Sequence, residues 1–158
     1  MVSFHLNQSS LTTLADPNGD VLHFLRSSAA DKSVRFGCGG GQCGACTVLI
    51  DDQPQNACTT PLWACEGRRV QTAQGLVDDK VGQTVLESFM EEQAGQCGYC
   101  ISGILVRITG LLKQHPDADE AQIKQTLSRH LCRCGAHARI LRAVRLAQKN
   151  LQHANTLP

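Results

Sequence analysis

At 158 residues, with a formal net charge of +1 and 4% aromatic residues, the chain is one domain or two small ones and has no global field for nucleic acid. Nine cysteines are too few for a short disulfide scaffold, and an odd number cannot complete a disulfide framework. No apolar run approaches the roughly 20 residues that cross a bilayer, and Met1 to Asn7 shows no basic n-region, apolar h-region or twin arginine, so neither membrane insertion nor a signal peptide is expected. The default is then a cytoplasmic chain in reducing surroundings, where paired cysteines bind metal more often than one another.

In chain order, Val2 to Leu6 and Leu11 to Leu14 read as two short strands joined by the turn-like Asn7-Gln8-Ser9-Ser10. Asp16-Pro17-Asn18-Gly19 breaks the pattern, and Asp20 is placed to cap a short helix through Arg26, with Leu22 and Leu25 on one face. Next comes the glycine-rich stretch Gly37-Cys38-Gly39-Gly40-Gly41-Gln42-Cys43-Gly44-Ala45-Cys46. A loop wrapped around a small inorganic core needs positive φ values and close backbone approach, which glycine supplies. Its N–H groups can then point at sulfur and help set a reduction potential. Thr47 to Ile50 leaves as a buried strand, Asp51-Asp52-Gln53-Pro54 turns it, and Cys58 returns beside the loop. Cys38, Cys43, Cys46 and Cys58 therefore form one set of four, with the C-x4-C-x2-C spacing of plant-type [2Fe–2S] loops. Zinc also accepts four thiolates and stays open as an alternative, against which the glycine density argues.

Cys65, beside Trp63 and Ala64, reads as a small buried hydrophobe. Arg68 to Ala73 alternates as a last strand, and the first domain is expected to end at residue 76, giving 1–76 and 77–158. From Gly82 the period becomes helical. Val85, Leu86, Phe89 and Met90 make one stripe, and Ile101, Ile104, Leu105, Ile108, Leu111 and Leu112 make a second, stopped by Pro116. Asp117 or Asp119 caps a third helix carrying Ile123, Leu127 and Leu131, and Ile140, Val144, Ala147 and Leu151 mark a fourth that frays into a polar tail. Four helices with facing apolar stripes share one core. Cys97 and Cys100 fall where the first helix meets the second, and Cys132 and Cys134 where the third meets the fourth. Two antiparallel helix pairs would bring these corners together, so this CxxC and CxC form a second set of four thiolates for one compact metal centre.

The remaining residues are chemically quieter. Arg139, Arg142 and Arg145 recur every third residue, either as a solvated face favoured by the helix dipole or as a docking face for an acidic partner or a cofactor phosphate. None of the six histidines has a ligand-like i, i+4 partner, so they read as surface or packing residues, and Tyr99 as packing over a cluster corner. No nucleophile–base pair, P-loop or GxGxxG is present, so no catalytic residue is expected. The fold class is α+β: a β-grasp, plant-ferredoxin-like unit followed by four helices.

At the two cysteine sets, and over about Val2 to Leu151, the sequence resembles the small iron–sulfur subunit of the molybdenum hydroxylases. This is the xanthine dehydrogenase and aldehyde oxidoreductase family, with bacterial carbon monoxide, nicotinate and isoquinoline dehydrogenases. Gly37-Cys38-Gly39 with Cys43-Gly44-Ala45-Cys46-Thr47-Val48-Leu49, then Gln96-Cys97-Gly98-Tyr99-Cys100, then Leu131-Cys132-Arg133-Cys134 carry the resemblance. A free plant ferredoxin would share only the first and has a far longer gap to its fourth ligand than the 11 residues between Cys46 and Cys58.

The resemblance implies two [2Fe–2S] clusters, the distal one in the sheet domain and the proximal one in the helical domain. It places Gln96 and Cys134 against a molybdopterin held mainly by a large catalytic subunit, and it makes this chain an electron-transfer subunit. The complex would oxidise an aldehyde or an N-heteroaromatic ring. Two departures from the common motifs stand out: Ile101-Ser102-Gly103 after CGYC, and Gly135-Ala136-His137 after CxC. The CRCG-x-H ending is similar to the branch in which a c-type cytochrome, rather than an FAD protein, takes the electrons. It also implies a second location, the periplasmic face of the membrane, reached by co-export with a partner. A free-standing two-cluster carrier of the ferredoxin type, and a zinc-stapled module, are the alternatives.

Overall fold

The computed structural model describes residues 1–156. Strand β1 (Val2–Leu6) turns through Asn7-Gln8 into β2 (Ser9–Thr13), with Asn7 at a φ of 53°. The second strand thus starts two residues earlier than its apolar pattern suggests and stops before Leu14, which is 87% exposed. Two-residue hairpins need positive φ, which asparagine tolerates, and that sets the register Val2↔Thr13 to Leu6↔Ser9. Helix α1 (Val21–Ser27) begins where Asp20 accepts the His23 N–H at 2.7 Å.

Strand β3 (Thr47–Ile50) and β4 (Gln53–Asn56) join through Asp51-Asp52, at φ 49° and 63°. This tight turn corrects the four-residue turn expected there, because Gln53 and Pro54 already pair with Ile50 and Leu49. Pro54 is tolerated because β4 is an edge strand. Strand β5 (Arg69–Gln71) completes the sheet in the order β2-β1-β5-β3-β4, with β1 and β5 parallel.

All four residues of β3 are buried because its two faces serve two cores. Val48 and Ile50 join Val2, Phe4, Phe24, Leu25 and Val70 beneath α1, where Phe4 and Phe24 meet edge to face at 5.9 Å. Leu49 points the other way, into a core with Ile104, Ile108, Ile140 and Val144. That second core belongs to α2 (Lys80–Glu91), α3 (Ile101–Gln114), α4 (Glu120–Leu127) and α5 (His137–Thr156). The helices therefore pack on the back of the sheet through α3, and the glycine-rich loop lies near the helix corners.

The helical periods hold, with two exceptions. Met90 is 69% exposed and leaves the α2 stripe, and Leu131 is 64% exposed because α4 ends four residues before it. Asp119, not Asp117, caps α4, in a reciprocal capping box with Gln122. The expected fray of the last helix is absent through Thr156, and residues 157–158 lie outside the described part. No helix among the described residues is long and apolar enough to cross a membrane.

Candidate metal centres

The N-terminal loop holds its sulfurs with its own backbone. The amides of Gly40 and Gln42 donate to Cys38 Sγ at 3.4 and 3.2 Å, the Cys38 amide to Cys43 Sγ at 3.3 Å, and the Gly41 amide to Cys58 Sγ at 3.3 Å. Asn56 fastens the loop by donating to the Gly41 carbonyl at 3.0 Å. These amides lower the Cys38 thiol to about 6, led by Gly40 and Gln42. Cys46 lies deeper: burial, reinforced by Cys58 and Cys43, pushes it up to about 12. A Cβ on Gly37 would stand 2.5 Å from Cys43 Sγ, so the missing side chain is the space the sulfur occupies.

Helix corners assemble the C-terminal set. Cys97 and Cys100 sit just before α3, and Cys132 and Cys134 in the turn before α5. The Cys97 thiol is lowered by the Tyr99 amide and then by a hydrogen bond from Cys134. Burial pushes Cys100 up to about 12, with the adjoining Cys132 adding to it. Burial also raises Cys132, but the Ala136 amide, Cys100 and the Cys134 and Gly135 amides outweigh it and bring the thiol below its usual range. Gln96 Nε2 reaches the Cys134 carbonyl at 3.4 Å, across the seam between the two corners.

Each set thus contains one deeper thiol that resists ionisation and at least one outer thiol already biased toward thiolate. Within each set the thiols meet in pairs, Cys38 with Cys43 and Cys46 with Cys58, then Cys97 with Cys134 and Cys100 with Cys132. Thiolates are the metal-binding form. Among the described residues no three His, Cys, Asp or Glu side chains close on a single ion. Four sulfurs in two pairs, with amides aimed at them, fit a sulfur-bridged binuclear iron centre.

Three contacts tie the sets together. The Leu131 amide donates to the Cys43 carbonyl at 3.1 Å. Tyr99 donates its hydroxyl to the Phe36 carbonyl, with the Arg35 guanidinium 5.7 Å from the ring centre. His130, 3% exposed, lies against Gly44 with Nε2 3.2 Å from Thr47 Oγ1, and the threonine hydroxyl donates to the Gly44 carbonyl at 2.7 Å. Burial holds the His130 imidazole at about 4, so it packs as a neutral ring. This junction was not legible in the sequence, since one histidine outside a periodic stripe carries no signal.

Other residues settle as follows. Cys65 is fully buried and its thiol is pushed up to about 11, as suits a packing residue. Within the arginine row Arg142 pairs with Glu92 at 2.9 Å, Arg145 shares Glu120 with Lys124, and Arg139 reaches the Gln93 carbonyl. The row therefore remains an exposed face with net positive charge, whose ion pairs contribute little to stability.

A family model for a 2Fe-2S iron-sulfur cluster binding domain matches residues 4–74, and one for a [2Fe-2S] binding domain matches residues 72–145. The chain is 40% identical to one of the nicotinate dehydrogenase subunits of Pseudomonas putida over 146 residues, covering 92% of this chain and 93% of that one. It is 37% identical to the alpha chain of isoquinoline 1-oxidoreductase from Brevundimonas diminuta over 150 residues, covering 94% and 98%. Its fold superposes on quinoline 2-oxidoreductase from Pseudomonas putida 86 with a TM-score of 0.85 at 27% identity, covering 96% of this chain and 95% of that one. The sheet with its glycine-rich cysteine loop, the helices with their paired cysteine corners and these relatives lead to one conclusion: the chain belongs to the small iron–sulfur subunits of the molybdenum hydroxylases, as a non-catalytic subunit of an oxidoreductase.

Proposed function

We propose that Cys38, Cys43, Cys46 and Cys58 hold one [2Fe–2S] cluster and Cys97, Cys100, Cys132 and Cys134 a second, making the chain a two-station electron wire. When bound, the clusters supply one-electron transfer between a two-electron molybdenum site and an acceptor. The residues contribute ligation, burial of Cys46 and partial burial of Cys100, and amide hydrogen bonds to sulfur. The observation that carries the reading is the Leu131 amide on the Cys43 carbonyl at 3.1 Å, which links the residue before Cys132 to a ligand of the other set through one hydrogen bond.

On this reading the chain divides at residue 76, in keeping with its two hydrophobic cores. Gln96 and Cys134 meet at one exposed seam and are assigned to the molybdopterin of a large catalytic subunit. The complex oxidises an aldehyde or an N-heteroaromatic ring, as the names of the relatives suggest for the latter. The CRCG-x-H ending favours a c-type cytochrome over an FAD protein as acceptor. The complex is assigned to the cytoplasm, or to the periplasmic face of the membrane when a partner supplies export.

The test is iron, acid-labile sulfide and zinc content, with EPR after dithionite reduction. About four irons, four sulfides and two distinct S = 1/2 signals are expected. Stoichiometric zinc without an EPR signal, in protein handled without oxygen, would overturn the reading. Both clusters in a chain that never copurifies with a molybdenum subunit would identify a free-standing carrier of the ferredoxin type instead.

A further inference from the structure

Between Cys43 and Cys46 the chain turns through Gly44 and Ala45, and residues beyond the glycine-rich loop hold the carbonyls of this turn. The Gly44 carbonyl accepts the Thr47 amide at 3.2 Å and the Thr47 hydroxyl at 2.7 Å. Thr47 is 2% exposed and His130 3%, so neither side chain can exchange its partner for water. His130 Nε2 lies 3.2 Å from Thr47 Oγ1. A hydroxyl has one proton, and the shorter bond to the Gly44 carbonyl takes it. Thr47 Oγ1 therefore accepts from His130, and the neutral ring donates through Nε2–H.

The Gly44 peptide is also boxed in sterically. A Cβ on Gly44 would stand 2.5 Å from the His130 ring, and a Cβ on Gly103 of α3 would meet the Gly44 carbonyl oxygen. Cys38 and Cys58 differ in this respect, because the amides on their sulfurs come from Gly40, Gln42 and Gly41 of the loop itself. Linked hydrogen bonds polarise one another in a low-dielectric interior. Donors on the Gly44 carbonyl withdraw charge from an oxygen of the Cys43–Cys46 turn, and this favours the more negative, reduced state of a centre held there.

We propose that His130 is a positioning residue for electron transfer. Acting through Thr47, it fixes and polarises the Gly44 peptide, so that the helical half sets the reduction potential of the N-terminal centre. The inference rests on the reading of the chain as a two-cluster wire. It adds which residue outside the ligands adjusts one station relative to the other.

The test is an EPR-monitored redox titration of the full, iron-loaded chain, the N-terminal signal being the one that Cys58→Ala lacks. Thr47→Val keeps the side-chain shape and removes the hydroxyl. Its N-terminal reduction equilibrium should shift about threefold toward the oxidised state, which is about 30 mV for a one-electron couple, and the C-terminal midpoint should not move. His130→Met should shift the N-terminal midpoint with the same sign. The double variant should shift it no further than the larger single change, because either substitution cuts the same relay. His130→Gln, whose side-chain amide can donate in place of Nε2, and Thr47→Ser should restore the wild-type midpoint. Iron content should be the same throughout; if His130→Met fails to hold iron, the pair Thr47→Val and Thr47→Ser decides. An unmoved N-terminal midpoint in Thr47→Val, additive shifts, equal shifts in His130→Met and His130→Gln, or movement of the C-terminal midpoint alone would overturn the relay and leave the wire intact. Absence of an iron–sulfur EPR signal in the wild type would instead overturn the wire.

Discussion

The two cysteine sets are alike in their number of thiols and differ in how they are built. In the N-terminal set three of four sulfurs fall within nine residues, Cys38 to Cys46, and the same loop supplies the amides at 3.2–3.4 Å. In the C-terminal set the pairs come from two helix corners, and hydrogen bonds across the seam between Gln96 and Cys134 and between the thiols join them. The first site is therefore mainly a property of local chain conformation, and the second a property of tertiary packing. Burial makes one thiol in each set hard to ionise, Cys46 and Cys100, so each set shields one sulfur and exposes another.

The strongest way to separate the two is to remove one ligand from each. Cys134→Ala should lose about half the iron and one of two EPR signals, with the N-terminal signal intact, because no loop contact depends on that thiol. Cys58→Ala should give the reciprocal loss. Full iron content in Cys134→Ala, with undiminished activity toward an artificial acceptor in the complex, would sink the assignment.

Gly44 tests the opposite point, that the sets share a junction. Its φ is +72°, and a Cβ there would stand 2.5 Å from the His130 ring. Gly44→Ala therefore adds both left-handed strain and a clash with a buried ring, at about 2–4 kcal/mol. Chemical denaturation should show that loss, and iron should fall at both sites rather than one. A loss confined to the N-terminal signal would mean that the junction transmits nothing.

The sequence shows these regions unequally, for physical reasons. Cys38, Cys43 and Cys46 sit at a spacing that only a loop around a compact core explains, and the α3 and α5 stripes repeat with the helical period, so both were readable. Leu131 continued the α4 stripe in sequence but is exposed, because the chain leaves the helix at Leu127 to bring Cys132 toward its partners. His130, Thr47 and the Leu131 amide meet only through tertiary packing, and no local pattern encodes them. The two-sided burial of β3 was half legible: an apolar run says buried, but only the packed helices show that Leu49 and Val48 face different cores.

A smaller effect is expected where the halves are held together away from the cysteines. Lys113 on α3 pairs with Asp52 of the β3–β4 turn at 2.6 Å and with Asp79, the cap of α2, at 2.5 Å. Burial works against both charges, but the Lys113 ammonium and the Gly82 amide keep Asp79 below its usual range, and the two carboxylates keep Lys113 above its own. Lys113→Met should cost about 1.5–3 kcal/mol. A carboxylate held below its usual range adds stability that is present above that range and lost as pH falls through the folded value. A lysine held above its range adds stability present below about 10.4 and lost as pH rises past the raised value. The difference in stability between wild type and variant should therefore be widest at neutral pH and shrink at both extremes. A difference that does not vary with pH would mean that Lys113 acts by packing alone.

Gln96 sharpens the comparison at its finest point. It is exposed, and its one hydrogen bond, to the Cys134 carbonyl, is long at 3.4 Å, so Gln96→Ala should change stability by no more than about 0.5 kcal/mol. On the proposed assignment Gln96 contributes little to its own fold and serves the pterin of the large subunit instead. In the isolated chain both EPR signals should persist unchanged. In the complex, reduction of the C-terminal centre by substrate should slow while dithionite still reduces it fully. If substrate reduces that centre at the wild-type rate, Gln96 is only a weak clasp between two helix corners, and its proposed contact with the pterin fails.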